Sequence, residues 1–408
     1  MTKKFGLIGK TLKHSFSKPI HSLLGDYSYE LYEIKPEDIK EFVLSGKLDG
    51  FNVTIPYKKD VIPYLDYVDE RAKAIGAVNT VVYRNGKVLG FNTDFDGIKY
   101  MLDRAGIVVK DKNVLILGSG GTSATARAVA TSLGAKSVKI LSRTGEINYD
   151  NYKDTAKESE VVINTTPVGM YPNNYECKID LSAFSMLTGV ADAVYNPALT
   201  KLLYQAKQRG VAYSNGLPML VAQAKYAMEK FLDVCVSQEV IEPIVKKLSS
   251  DMQNVVLIGM PGCGKSTIGK AVASTLNREF IDTDQEIIKK AGMEIAEIFA
   301  MKGEEEFRKL ESEVLREVGL TTGKVIATGG GVIKNRENYF PLKSNGKIFW
   351  IQRSVEKLVT EGRPLSKDRQ TVEKLYLERK ENYEYFADKK IDNNSELELA
   401  VKGVLKNL

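Results

Sequence analysis

The chain has 408 residues, 43% of them hydrophobic and 27% charged, which exceeds what one hydrophobic core usually supports. The net charge of +6 is spread along the chain, which favours anionic small molecules over nucleic acid as partners. Three scattered cysteines and two histidines exclude a disulfide framework and a His/Cys zinc site. No stretch resembles a signal peptide or a membrane span, so the sequence predicts a cytoplasmic protein without a membrane partner. Composition and charge do not distinguish a monomer from an oligomer.

Residues 1–216 alternate predicted strands with helices. In the first hundred residues, strands are predicted at Phe5–Ile8 and Gly50–Thr54 and a helix at Lys35–Ser45. This pattern indicates a small α/β domain. From residue 113 the order is strand, glycine turn and helix, at the spacing of βαβ crossovers, which predicts a doubly wound sheet. Its predicted elements are strands Asn113–Leu117, Ser137–Ser142, Glu160–Asn164 and Val190–Ala193 and the helix Thr122–Leu133.

The last third of the chain starts a new unit. Val221–Leu248 is predicted to be helical and ends in a polar stretch, where we place a linker at residues 246–253. A buried type of strand, Asn254–Ile258, follows directly and leads into a second glycine loop.

Residues 259–266 match G-x-x-x-x-G-K-[ST] between a predicted strand and a helix. The glycines let backbone N–H groups surround phosphate oxygens, and the helix adds its positive N-terminal end. Lys265 is predicted to reach the β- and γ-phosphates and Ser266 to hold Mg²⁺. The motif therefore predicts a nucleotide site.

Two carboxylates, Asp282 and Asp284, follow the next predicted strand. Because alternation points them the same way, one can contact the metal shell while the other accepts the proton of an attacking hydroxyl. Asp284 is equally compatible with a helix N-cap. Arg308 and Glu311, one helical turn apart, are compatible with a solvated ion pair.

The glycine turn at residues 118–123 is an imperfect dinucleotide fingerprint, because Ser123 replaces the third glycine or alanine. Arg143 follows the next strand, where NAD enzymes usually carry an acid. An arginine there accommodates a 2′-phosphate and favours NADP, although an ordinary surface arginine is the alternative.

Lys58 and Asp94 are the candidates for supplying a proton as hydride reaches a carbonyl. Together with Asn79 they form a polar set at predicted strand ends, where sites of α/β proteins usually lie. Taken singly, Lys58 is compatible with a solvated lysine and Asp94 with a helix N-cap.

Residues 254 to about 400 resemble shikimate kinases, because the P-loop, Asp282–Asp284, Phe307–Arg308, Gly329–Gly331, Arg363–Leu365 and Arg379 occur in that family's order. Guanidinium groups suit the carboxylate of shikimate. The lid segment Ser366–Gln370 is short and polar, which departs from the family. The resemblance implies a shikimate pocket of Asp284, Arg308, Gly330, Gly331 and Arg379, an ATP site of Gly259, Gly262, Cys263, Gly264, Lys265, Ser266, Thr267 and the lid residue Arg363, and Mg²⁺ ligands Ser266 and Asp282.

Residues 1 to about 240 resemble shikimate dehydrogenases. Lys58 matches the catalytic lysine with Asp94 as its partner, and Lys18 replaces a usual proline. His14 and His21 are predicted to pack and form hydrogen bonds. The resemblance implies substrate contacts from Ser15, Ser17, Thr54, Asn79, Asp94, Tyr195 and Gln223, and NADP contacts from Gly118, Gly120, Gly121, Ser142, Arg143, Thr144, Asn164 and Gly216.

Together these features predict an α/β protein with three domains. Residues 1–100, completed by helices from about 217–245, form a dehydroshikimate-binding domain, and residues 101–216 form a Rossmann NADP-binding domain. Residues 254–408 form a P-loop kinase domain with a parallel sheet.

The two resemblances share shikimate and imply two consecutive steps. NADPH reduces 3-dehydroshikimate to shikimate, and ATP with Mg²⁺ then converts shikimate to shikimate 3-phosphate. One alternative is a quinate/shikimate dehydrogenase fused to another small-molecule kinase. The other is a catalytically silent regulatory binding protein, which should lack the reacting groups that this chain retains.

Overall fold

The computed structural model describes residues 3–12, 15–358 and 369–408. Two compact units make up the chain. The first comprises Met1–Met170, Glu176–Tyr195 and Leu202–Lys247, and the second comprises Tyr171–Tyr175, Asn196–Lys201 and Leu248–Leu408. Within the described residues, no helix is both long and apolar enough to cross a membrane.

A mixed six-stranded sheet opens the first unit. Its strands are β1 (Lys4–Gly9), β2 (Ser28–Glu33), β3 (Gly50–Val53), β4 (Tyr67–Val68), β5 (Thr80–Arg84) and β6 (Lys87–Phe91). They are ordered β2-β1-β3-β5-β6-β4, and β5 runs antiparallel to both of its neighbours. The accompanying helices are α1 (Ser17–Leu24), α2 (Ile39–Leu44), α3 (Glu70–Ile75) and α4 (Asp94–Arg104).

The helix predicted at Lys35–Ser45 is shorter in the structure. Pro36–Asp38 forms a 3₁₀ turn, and α2 begins only at Ile39. The fixed φ of proline suits the start of such a turn, where its missing N–H has no partner to lose.

The second sheet of this unit is wholly parallel. Its strands β7 (Asn113–Leu117), β8 (Ser137–Leu141), β9 (Val161–Asn164), β10 (Gly189–Asp192) and β11 (Ala212–Ser214) are ordered β11-β10-β9-β7-β8. The strand order reverses between β7 and β9, and their carboxyl ends open the crevice where such sheets bind ligands. The predicted doubly wound sheet is confirmed. Its helices are α5 (Gly121–Ser132), α6 (Tyr152–Glu158) and α7 (Lys201–Gln208).

Two helices cover most of the stretch predicted to be helical, Val221–Leu248. They are α8 (Leu217–Leu232) and α9 (Ile241–Met252). They are separate because Asp233 adopts the left-handed conformation, with φ of 58°, and ends α8. Phe231 of α8 stacks on Phe5 of β1 with ring centroids 4.4 Å apart, so α8 packs on the first sheet. Most of the predicted linker lies within α9.

The second unit is built on a third sheet, also wholly parallel. Its strands β12 (Asn254–Ile258), β13 (Phe280–Asp282), β14 (Val325–Ala327), β15 (Gly346–Gln352) and β16 (Lys389–Asp392) are ordered β13-β14-β12-β15-β16. The central strand β12 is buried along its length, as expected of a parallel strand covered on both faces. Its helices are α10 (Lys265–Leu276), α11 (Thr283–Ala291), α12 (Ile295–Gly319), α13 (Tyr339–Ser344), α14 (Arg369–Phe386) and α15 (Leu397–Lys406).

Candidate active sites

Lys58 and Asp94 form a largely buried ion pair in the first unit. Lys58 Nζ donates to Asp94 Oδ2 at 2.5 Å, and the two side chains are 15% and 2% exposed. Asn79 Nδ2 donates to the other carboxylate oxygen at 2.9 Å. Lys58 is therefore not a solvated lysine.

Asp94 is the first residue of α4, where the positive end of the helix favours a carboxylate. The N-cap position itself belongs to Thr93, so the N-cap interpretation of Asp94 is wrong. The Asp94 carboxylate instead binds the ammonium of Lys58, which is the more exposed member of the pair.

A row of hydrogen-bonded side chains leads to Asn79, and the sequence analysis did not predict it. Tyr29 Oη donates to Asn52 Oδ1 at 2.8 Å, Asn52 Nδ2 donates to Thr80 Oγ1 at 3.0 Å, and Thr80 Oγ1 donates to Asn79 Oδ1 at 3.0 Å. Because the Asn79 oxygen is occupied as an acceptor, its amide N–H group is directed at Asp94. Each of these residues sits in or next to a strand. The pairing of β3 with β5 brings Asn52 beside Thr80, and Tyr29 reaches Asn52 from β2, on the other side of β1.

His21 closes this row and remains neutral. Its Nδ1 lies 2.7 Å from Tyr27 Oη, and its ring stacks on Tyr29 with centroids 3.8 Å apart. Burial lowers the pKa of His21 to about 3, opposed in part by a hydrogen bond with Asn52. The prediction that His21 packs and forms hydrogen bonds is confirmed, whereas His14 lies outside the described residues.

Three of the predicted substrate contacts lie at or beside the start of α1. Ser15 Oγ accepts a hydrogen bond from Ser17 N at 3.2 Å. The ring of Tyr195 packs edge-on against Phe16, with centroids 5.6 Å apart, and so lies beside the start of α1. Lys18 forms an exposed ion pair with Glu30 at 2.7 Å, which turns the side chain that replaces the usual proline outward.

The two other predicted substrate contacts lie on different elements. Thr54 follows β3 and packs its methyl group against Gly9, where an added β-carbon would come within 2.7 Å. Gln223 lies on α8, and its Cβ would be 3.2 Å from a β-carbon at Gly97 of α4. Thr54 is therefore held beside the end of β1, and Gln223 lies where α8 packs closely on α4.

The glycine turn after β7 leaves room for a pyrophosphate at the start of α5. Gly118 has φ of 112°, and a β-carbon there would be 2.7 Å from Thr165 Oγ1. Beside Gly120 and Gly121 an added β-carbon would meet nothing within 4 Å. Ser123 Oγ donates to Gly118 O at 2.7 Å, so the residue that departs from the fingerprint stabilises the turn. The turn therefore fits a dinucleotide.

Asn164, at the end of β9, has a fixed amide. Its Nδ2 donates to Asp192 Oδ1 at 2.8 Å, and its Oδ1 accepts from Thr166 Oγ1 at 2.7 Å. Gly216 leaves no space for a side chain, because an added β-carbon would clash with the backbone of Ala193. The predicted NADP residues Ser142, Arg143 and Thr144 follow β8, and the last two are exposed.

A cavity of about 820 Å³ occupies the second unit. It lies where the loops after β12, β13 and β14 meet, at the carboxyl ends of the strands. Arg363 lies outside the described residues, and Cys263 is fully buried. The predicted residues that line the cavity are Gly262, Gly264, Lys265, Ser266, Thr267, Asp282, Asp284, Arg308, Gly330, Gly331 and Arg379.

The lysine of the P-loop forms hydrogen bonds with backbone carbonyls of the same loop. Lys265 Nζ donates to Gly259 O at 2.9 Å and to Met260 O at 3.0 Å. Ser266 Oγ donates to Asp282 Oδ2 at 2.7 Å, so the hydroxyl and carboxylate predicted to share Mg²⁺ already meet. Oxygen ligands of this kind suit Mg²⁺, and the glycine loop fits a nucleotide phosphate chain.

Asp282 and Asp284 divide the two roles that the sequence left open. Asp282 is the N-cap of α11, and its Oδ1 accepts a hydrogen bond from Asp284 N at 3.1 Å. The N-cap interpretation of Asp284 is therefore wrong. Its carboxylate instead lies beside Gly329, where an added β-carbon would be 2.8 Å from Asp284 Oδ1.

Arg308 and Glu311 form an ion pair at 2.7 Å, and the Glu311 side chain is 2% exposed. The interpretation as a solvated pair is therefore wrong. Burial raises the pKa of Glu311, and the charge of Arg308 opposes the shift. The pair fixes the guanidinium of Arg308 at the cavity wall.

Arg379 and Tyr383 hold the middle of the glycine run. Arg379 Nη1 donates to Gly330 O at 3.2 Å, and Tyr383 Oη donates to the same oxygen at 2.7 Å. Burial raises the pKa of the Tyr383 phenol, so it stays a donor. Tyr383 was missed, although it follows Arg379 by one helical turn on α14.

The fold and these sites define a dinucleotide-dependent dehydrogenase joined to a P-loop kinase. Residues 7–81 match the family model described as the shikimate dehydrogenase substrate binding domain, and residues 261–408 match that of shikimate kinase.

The first unit has close relatives. The chain is 41% identical over 275 residues to the shikimate dehydrogenase (NADP⁺) of Alkaliphilus oremlandii, covering 59% of this chain and 95% of the relative. A chorismate mutase/shikimate 5-dehydrogenase fusion protein from Clostridium acetobutylicum is 34% identical with a TM-score of 0.58, over 61% of this chain and 97% of that one. Shikimate 5-dehydrogenase from Thermus thermophilus, in complex with NADP(H) and shikimate, is 27% identical with a TM-score of 0.55, over 60% and 99%. The chain belongs to the shikimate dehydrogenase family, and it carries a shikimate kinase domain as well.

Proposed function

We propose that the chain is a bifunctional enzyme of the shikimate pathway. Its dehydrogenase part reduces 3-dehydroshikimate to shikimate with NADPH, and its kinase part converts shikimate to shikimate 3-phosphate with MgATP. The observation that carries this proposal is that each family contributes a complete set of reacting groups. The Lys58–Asp94 pair occupies the first unit, and the P-loop, Asp284 and two arginines line the cavity of the second.

The proposed domains follow the sequence prediction. Residues 1–100 with helices from about 217–245 bind dehydroshikimate, residues 101–216 bind NADP, residues 246–253 connect the enzymes, and residues 254–408 form the kinase. The stacking of Phe231 on Phe5 supports the assignment of α8 to the first domain.

In the reductase reaction, NADPH supplies a hydride to the carbonyl carbon of the substrate. We assign to Lys58 the proton that the carbonyl oxygen then takes up. Asp94 accepts a hydrogen bond from the ammonium at 2.5 Å and orients it. General acid catalysis of this kind contributes roughly 10² to 10⁴ in rate.

Substrate and cofactor contacts complete the dehydrogenase assignment. The hydroxyls of Ser15 and Ser17 are proposed to bind the carboxylate. The hydroxyl-binding set is Thr54, Asn79 and Gln223, with Tyr195 beside the serine loop. Arg143, which is exposed and follows β8, is proposed to bind the 2′-phosphate of NADP. The remaining NADP contacts are Gly118, Gly120, Gly121, Ser142, Thr144, Asn164 and Gly216.

In the kinase reaction, MgATP supplies the phosphoryl group. We propose that Asp284 accepts the proton of the attacking shikimate hydroxyl. Ser266 and Asp282, which meet at 2.7 Å, hold the metal, while Lys265 binds the β- and γ-phosphates. Arg308 and Arg379 bind the shikimate carboxylate beside Gly330 and Gly331, and Arg363 is proposed to close over ATP. The other ATP contacts are Gly259, Gly262, Cys263, Gly264 and Thr267.

The proposal includes 3-dehydroshikimate and shikimate as small-molecule partners, no nucleic-acid or membrane partner, and the cytoplasm as the place of action.

Spectrophotometry of the purified chain tests the proposal. NADPH oxidation is expected with 3-dehydroshikimate, and ADP formation is expected when the shikimate product meets MgATP. Oxidation with 3-dehydroquinate in place of 3-dehydroshikimate would point to the quinate alternative. A folded chain that catalyses neither step would leave only the regulatory binding protein.

A further inference from the structure

Arg353 occupies a wall of the kinase cavity next to the P-loop. It directly follows β15, the strand that pairs with β12, and β12 leads into the loop. The residue before Arg353 is bonded to the chain that follows β16, because Gln352 O accepts a hydrogen bond from Asn393 N at 2.8 Å. Asn393 Nδ2 in turn donates to Cys263 O of the loop at 2.7 Å. Arg353 is therefore fixed to the backbone that surrounds the predicted phosphate site.

The guanidinium of Arg353 has a donor that the protein does not satisfy. Its Nε is buried and has no hydrogen-bond partner in the part of the chain that the structure describes. The other cations of the cavity differ, because Arg308 is paired with Glu311 and Lys265 donates to two loop carbonyls. A buried donor without an acceptor is unfavourable. A guanidinium that turns towards an anionic ligand in the cavity would give this donor an acceptor.

Two anions can enter a kinase cavity of this kind, a carboxylate substrate and a nucleotide triphosphate. Arg308 and Arg379 already serve the carboxylate side, since both lie beside Gly330 and Gly331. Arg353 lies instead beyond Ile351, whose carbonyl packs against Gly259, the first residue of the P-loop. A planar guanidinium presents five donors and suits phosphate oxygens better than an ammonium does.

We propose that Arg353 binds the phosphate chain of the nucleotide as a further ATP-binding residue. The inference rests on the proposed kinase function. It adds a cation to the nucleotide site beside Lys265, and it assigns to Arg353 no role in binding shikimate.

Steady-state kinetics of the full chain test this role. Arg353→Gln is expected to raise the KM for MgATP roughly tenfold to a hundredfold at saturating shikimate, and Arg353→Lys less. The KM for shikimate should stay within twofold of wild type. Arg336→Gln is the matched control, because Arg336 is exposed and lies over the ring of Tyr385 at 4.9 Å. With MgGTP as a second donor, the same fold-change separates a phosphate contact from a contact with the base.

Three results would overturn the inference: an unchanged KM for MgATP, a raised KM for shikimate instead, or an effect that depends on the base. Trp350 is the only tryptophan and lies in β15, so its fluorescence during urea unfolding reports whether the kinase part of each variant is folded. If Arg353→Gln does not fold, Arg353→Lys decides, since an ammonium that satisfies wild-type ATP binding would contradict a guanidinium contact. A wild-type chain without ADP formation would refute the proposed function rather than this inference.

Discussion

Replacing Lys58 by methionine removes the ammonium of the dehydrogenase site and keeps most of the side-chain volume. Asp94, only 2% exposed, then retains Asn79 as its side-chain hydrogen-bond donor. Breaking one side of a buried pair costs up to about 3 to 5 kcal/mol of unfolding free energy. The loss should lie below that limit, because the Lys58 side chain is 15% exposed and Asp94 keeps the hydrogen bond from Asn79. Loss of the proton donor should lower kcat for dehydroshikimate reduction by roughly 10² to 10⁴.

The assay is NADPH oxidation with 3-dehydroshikimate, run beside the ADP-forming reaction of the same preparation. Lys59→Met is the matched control, because Lys59 is the exposed neighbour in the sequence. Both variants should phosphorylate shikimate at the wild-type rate, which shows that the kinase part is intact. If Lys58→Met keeps more than about a tenth of the wild-type kcat, an effect far below that of a general acid, then Lys58 does not donate the proton.

Three further predictions concern pH, cofactor choice and metal binding. The pKa of His21 is about 3 in the folded chain against an ordinary 6.5, so the unfolded state takes up the proton first as pH falls. Unfolding free energy should therefore decrease from pH 6.5 towards pH 3, with this ring contributing about 1.4 kcal/mol per pH unit, and chemical denaturation of His21→Asn should show a shallower slope. Arg143→Ala should raise the KM for NADPH roughly tenfold and leave that for NADH unchanged in steady-state assays, whereas an equal effect of Lys136→Ala would remove the specificity argument. Asp282→Asn should keep α11 stable, because asparagine caps helices about as well as aspartate, yet it should raise the Mg²⁺ concentration needed for half-maximal ADP formation, and an unchanged Mg²⁺ requirement would exclude Asp282 from the metal site.

Local patterns in the sequence were sufficient for the strands and for the glycine loops. The strand Asn113–Leu117 and the strand Asn254–Ile258 were predicted with the bounds that the structure has. Both are short apolar runs that end at glycines, and a parallel sheet buried on both faces demands that composition. The helix break at Asp233 was missed, because a left-handed aspartate carries no strong local signal.

The candidate sites were predictable only in part, because long-range pairing decides which polar side chains meet. Lys58, Asp94 and Asn79 were found as a polar set near the ends of predicted strands. The hydrogen bond between Asn52 and Thr80 depends on the register of β3 with β5, and that between Tyr29 and Asn52 depends on the order of β2, β1 and β3. No local pattern shows either arrangement.

Burial is likewise a tertiary property. The spacing of Arg308 and Glu311 places both on one helix face, but it does not show whether that face is exposed to solvent or buried. The same holds for Arg353, whose unsatisfied Nε becomes visible only when the cavity is in place.

The contacts of Lys265 with Gly259 O and Met260 O affect which nucleotides can compete for the kinase site. The ammonium must exchange two carbonyl acceptors for phosphate oxygens, and only a ligand with at least a diphosphate presents oxygens at that depth. AMP therefore gains no binding energy from the ammonium of Lys265. The cell's monophosphate pool should be a poor inhibitor of this enzyme, while ADP, which retains the β-phosphate, should inhibit it as a product.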